Sequence, residues 1–154
     1  MFRCDNHTIV QKFFVLTFST ICLLASSIVH ANDELLKRAQ DWISQGNSIE
    51  AYDLLAPYED ELAGNVQYDY LFGVAALDSG EPREAIFSFQ RAITTDPDFA
   101  GARMELARAY FELEEFEQAE AEFRTVLTQS PNEQTTAVVE QYLAAIENKT
   151  LGKK

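Results

Sequence analysis

Thirty-four residues separate Ala85 from Ala119, Phe89 from Phe123 and Pro97 from Pro131. A fixed period of this length, carrying a small residue, an aromatic four places on and a proline at the end, is what antiparallel helix pairs stacked as a solenoid leave in a sequence. One pair cannot bury its own apolar face, so each must pack against the next. The spacing predicts small side chains at close helix crossings, here Gly73, Ala85, Ala107 and Ala119, with Phe72, Phe89, Leu106 and Phe123 filling the space beside them.

With Ala85 set at the twentieth place, Phe72, Gly73, Gly80, Phe89, Ala92 and Pro97 take the large, small, glycine, aromatic, small and proline places of one repeat. One period on stand Leu106, Ala107, Tyr110, Phe116, Ala119, Phe123 and Pro131. One period back stand Ala39, Trp42, Gly46, Ala51 and Leu55, but Arg38 occupies an apolar place and Pro57 interrupts the second helix. A degenerate first copy suits a terminal repeat, which has a neighbour on one side only. The pattern resembles the tetratricopeptide repeat. It implies an all-α, right-handed superhelical solenoid of about three helix pairs, at roughly 32–65, 66–99 and 100–133, closed by a capping helix over 134–147. Gly80 is expected to turn the chain and Pro82 to open the next helix. Ser130, Pro131, Asn132 and Glu133 are expected to form a capping box with the proline at the first helical place. The last residues, 148–154, are expected to be a disordered tail.

Residues 1–31 read differently. Arg3 and Lys12 precede a mostly apolar run over 13–29, and Val29, His30 and Ala31 present small residues where a signal peptidase cuts. A signal peptide cleaved between Ala31 and Asn32 is expected, giving a periplasmic protein; an uncleaved anchor in the inner membrane is the alternative. Both cysteines, Cys4 and Cys22, and both histidines, His7 and His30, lie in this segment. The remaining chain has no thiol nucleophile, no imidazole base and no soft metal ligand, so neither an enzyme, a cofactor nor a metal site is expected.

The whole chain carries 12 basic and 25 acidic residues; without Arg3, Lys12 and Asp5 the balance is 10 against 24, a net of −14. Such a surface repels phosphate backbones, and nucleic acid is not an expected partner. The acidic run Glu112, Glu114, Glu115, Glu117, Glu120 and Glu122 has no calcium-loop spacing and reads as a solvated face. What remains is a binding surface. In stacked helix pairs the second, fifth, ninth, twelfth and thirteenth places of each repeat face inward. These include Leu36, Gln40 and Ile43, then Tyr70, Val74 and Leu77, then Met104, Arg108 and Phe111. The expectation is an apolar groove with one positive charge, fit for a segment of another protein.

The stretches LLAPYEDELAG, YDYLFGVAALDSGEPREAIFSFQRAI, DFAGARMELARAYFELEEFEQAEAEF and VVEQYLAAIE resemble the amino-terminal periplasmic repeat domain of surface lipoprotein assembly modifier proteins of Gram-negative outer membranes. The resemblance spans residues 54–147. In that family the repeats precede a membrane β-barrel and the whole assists delivery of proteins to the cell surface. These 154 residues carry no barrel strands, so the resemblance implies a periplasmic repeat module and not membrane translocation. Two functions are expected from it and from the groove: a non-catalytic module that recruits or holds another envelope or secreted protein, or else a structural, self-associating subunit of an envelope complex.

Overall fold

A computed structural model describes residues 31–152. The expected signal peptide lies outside these residues apart from Ala31. Arg38–Lys154 forms one compact unit and Met1–Lys37 another, of which only residues 31–37, the first turns of helix α1, are described. Helix α1 covers 31–44. There follow α2 (Ser48–Leu55), a 3-10 turn (Ala56–Tyr58), α3 (Glu59–Leu62), α4 (Val66–Asp78), α5 (Pro82–Thr95), α6 (Ala100–Glu112), α7 (Phe116–Thr128) and α8 (Glu133–Leu151). The described residues contain no strand. The chain is an all-α solenoid of helix pairs.

The repeat is written into the turns. Gly46, Gly80 and Glu114, one period apart, all adopt positive φ, at 80°, 90° and 58°. At each turn the following amide reaches back five residues: Asn47 to the Trp42 carbonyl, Glu81 to Ala76 and Glu115 to Tyr110, all at 2.9 Å. This six-to-one bond ends a helix by satisfying a carbonyl the helix itself leaves open. Glycine suits the left-handed place, whereas a side chain there costs about 1–2 kcal/mol. Glu114→Gly is therefore expected to stabilise the fold by about 0.5–1 kcal/mol, seen as a higher urea midpoint at unchanged slope. A lower midpoint would show that the contacts of the Glu114 side chain outweigh its backbone strain.

Between the helices of a pair, the small residues lie where the frame puts them. Ala85, Ala107 and Ala119 are fully buried, as are Phe72, Phe89 and Phe123. At Gly73 the approach is closest: a Cβ there would stand 2.6 Å from Phe89 Cε1. One buried cluster joins α4, α5 and α6 around Phe89 and Leu106; a second joins α6, α7 and α8 around Phe123, Val126 and Val139. Rings reinforce the stack, with Tyr52 and Tyr68 both lying on Phe72 at centroid distances of 5.4 and 5.5 Å. Pro57 does break the second helix of the first pair, giving the 3-10 turn and the short α3. Arg38, out of place as a core residue, lays its guanidinium 4.5 Å from the centre of the Trp42 ring and stays exposed.

Two local expectations are corrected. The last helix does not begin with Pro131 as its first residue: Ser130 takes φ 56°, and Asn132 is the cap, its side chain accepting from the Thr135 amide at 2.8 Å. An asparagine caps as well as a serine does, and this register leaves the proline outside the helix. Nor does the helix stop at 147. It runs to Leu151, because nothing in Asn148–Leu151 breaks it, and the Thr150 hydroxyl donates to the carbonyls of Ile146 and Glu147 at 3.0 Å.

An ionic clasp lies beneath the stacked rings. Asp69, fully buried on α4, accepts from the Gly64 amide at 2.9 Å and from Arg91 Nε at 2.8 Å. Arg91 also donates to Glu59 at 3.0 Å, tying the interrupted helix of the first pair to α5. Beside it Tyr68 donates to the Leu55 carbonyl at 3.0 Å. Both oxygens of the buried carboxylate are thereby engaged, the condition under which such a charge is tolerated.

Candidate binding groove

The first helices of successive pairs, α1, α4 and α6, carry the inward places. Their side chains separate into floor and rim. Val74 and Leu77 are buried, so they build the floor and offer little surface; Leu36, in the other unit, is buried too. Ile43, Tyr70, Met104, Arg108 and Phe111 are half-buried, and Gln40 is exposed.

The half-buried group is held from below. Tyr70 rests on Phe99 at 4.8 Å and nears Phe89 at 6.3 Å. Burial raises its phenol pKa, with the charge of Glu105 adding to the effect. Phe111 meets Tyr142 of α8 edge-on at 5.1 Å and Phe116 at 5.7 Å, and the Lys149 ammonium lies 5.3 Å over its ring. Phe111 therefore belongs as much to the seam with the last helix as to the groove.

Arg108, the positive charge that the sequence placed here, is engaged by carboxylates. Its Nη2 meets Asp78 of α4 at 2.7 Å, and its Nε lies 2.8 Å from Glu105, one turn back and off the hydrogen-bond axis. Asp78 also accepts from the Ser48 hydroxyl at 3.4 Å. Glu105 and Glu112 are both held above the usual carboxylate range, chiefly by burial, with Arg108 opposing and Asp78 adding. Asp78 and Glu112 stand at the thirteenth places of their repeats, so the frame itself could have found them; Glu105 lies off the inward places, and only the fold brings it to Arg108. Along the rest of the acidic run Glu120 pairs with Arg124 at 2.7 Å and Glu122 with Arg103 at 2.8 Å, and Glu114 and Glu117 are exposed.

Nothing in this arrangement pairs a nucleophile with a base. Among the described residues no group of histidine, cysteine or carboxylate side chains is placed to hold a metal, and no helix is long and apolar enough to cross a membrane. What the surface offers is aromatic, thioether and charged side chains on neighbouring helices, the materials of a protein interface.

The profile of the tetratricopeptide repeat family matches residues 76–142, in keeping with the fold and its period. The chain is similar to a surface lipoprotein assembly modifier of Moraxella catarrhalis, 30% identical over 122 residues, which cover 77% of this chain and 24% of that protein. It thus spans about a quarter of that relative's length. Its fold is shared by the Yersinia enterocolitica type III secretion chaperone SycD, solved with a peptide of the translocator YopD (TM-score 0.69, 16% identity, 79% of this chain and 95% of that one). It is shared too by the second tetratricopeptide domain of human RPAP3, solved with an HSP70 peptide (TM-score 0.62, 20% identity, 72% and 90%).

Proposed function

We propose that the chain, from Asn32 onward, is a non-catalytic periplasmic module that holds a segment of another envelope or secreted protein in its inward face, in the service of outer-membrane protein or lipoprotein export. The observation that carries this is the row of half-buried Tyr70, Met104 and Arg108 on adjacent first helices, supported on one side and open on the other. The likeness to the Moraxella assembly modifier supports the envelope setting, and the peptides bound to structural neighbours support the mode.

The test is retention of envelope proteins by the purified full chain. Tyr70→Ala with Met104→Ala is expected to cut retention of its partner by about tenfold or more while leaving the helical circular dichroism intact. Phe111 is left alone, because its ring holds α8 and its loss would confuse binding with unfolding. Undiminished retention by the folded double variant would overturn the groove. Retention of nothing but further copies of the chain would favour a self-associating subunit instead.

A further inference from the structure

The groove has a polarity. At its turn end, where α4 finishes with Asp78 and α6 with Glu112, lies a depression of about 720 Å3 lined by Glu50, Leu77, Asp78, Glu112 and the exposed Ile49 of α2. Its apolar surface is that of the exposed Ile49, beside the carboxylates of Glu50, Asp78 and Glu112. Counting Glu105, four carboxylates serve this stretch, and Arg108 is the cation among them, already engaged by Asp78 and Glu105. Glu50 and Glu112 make no ion pair among the described residues. Lys149 of α8 lies over the rings of Phe111 and Phe116.

The helix ends add to the imbalance. A helix C-terminus carries a partial negative charge that basic residues in the last turn usually offset. Neither α4 nor α6 has a basic residue in its last turn, and each closes on an acid instead. Two dipole ends and their terminal carboxylates therefore bear on one concavity.

Resting on the binding function above, we propose that the occupant of this groove is a cationic amphipathic segment: an apolar side chain seated by Tyr70 and Met104, and a lysine or arginine laid into the depression. The stem of that residue would cover Ile49, and its head would reach Asp78, Glu112 and Glu50. Met104 and Glu112 are two helical turns apart, so anchor and cation stand about 12 Å from one another along the groove. Opposite polarity also sets selection, since an acidic segment would meet like charge with no exchange partner but Arg108.

Three fluorescent peptides of about 12 residues, with one apolar pattern and lysine, glutamine or glutamate at the polar places, test this against the purified full chain by anisotropy. The lysine peptide is expected to bind about tenfold tighter than the glutamine one, the glutamate peptide weaker than both, and the advantage to shrink as salt rises from about 0.05 to about 0.5 M. Glu50→Gln, Asp78→Asn and Glu112→Gln together should remove most of the advantage. Glu61→Gln, Glu117→Gln and Glu140→Gln, which change the net charge equally at exposed sites elsewhere, should leave it. Equal loss in both triple variants would mean that only bulk charge is felt, and would overturn the proposal. Equal binding of lysine and glutamine peptides would overturn it while leaving the groove a binding site. Binding of none of the three would overturn both.

Discussion

Asp69→Ala is expected to lower the stability of the fold by about 2–3 kcal/mol. The carboxylate is fully buried, and its loss strips the Gly64 amide and Arg91 Nε of their acceptors at 2.9 and 2.8 Å. It also leaves a void in the packing beside Tyr68 and Phe72. The other acid on the same arginine is a control for burial: Glu59 keeps 40% of its side chain exposed, so Glu59→Ala should cost no more than about 1 kcal/mol. Urea midpoints of the two variants decide the matter. Equal losses would mean that the clasp acts through Arg91 as a surface charge and that the buried hydrogen bonds contribute little.

Gly73→Val should be as damaging, at about 3 kcal/mol, and for a steric reason. Any Cβ at this position meets the Phe89 ring at 2.6 Å, and Phe89 is itself fully buried. Valine adds two methyl groups and a β-branch that helices disfavour. The remedy identifies the cause: Phe89→Leu, harmful alone, should recover part of the loss when combined with Gly73→Val, because the smaller side chain vacates the contact. Strictly additive losses in thermal melts would show that the two positions do not meet as described.

Much of this core could be read in advance because its logic is periodic. Gly73 and Ala107, Phe89 and Phe123, Ala85 and Ala119 recur because the same crossing is built twice, and a crossing tolerates few side chains. Asp69 could not be read that way. Its partners are a backbone amide five residues back and an arginine on the next helix, and neither repeats with the period. The signal that was available is its isolation: a lone aspartate amid Tyr68, Tyr70, Leu71 and Phe72, on a helix apolar all round, must be paired if it is buried at all. The charges around the candidate groove residues were not legible. The frame located Arg108, but its engagement by Asp78 and Glu105 depends on the reach of side chains across helices that no spacing rule contains. The start of α8 was misplaced for a smaller reason. Serine, proline, asparagine and glutamate in a row offer two capping registers, and the left-handed turn at Ser130 selects the later one.

The period that repeats the turns also limits how far apart in the chain touching groups can be. Tyr52 reaches Glu84, Arg91 reaches Glu59, and Gln129 reaches Pro97, each across 32 residues. Every helix from α4 onward finds the surface it needs on a neighbour already made, so no long loop must close before packing begins to stabilise. Such a chain belongs with the fast folders, at microseconds to milliseconds. Its structure can grow from its beginning one pair at a time, while the rest of the polypeptide is still arriving.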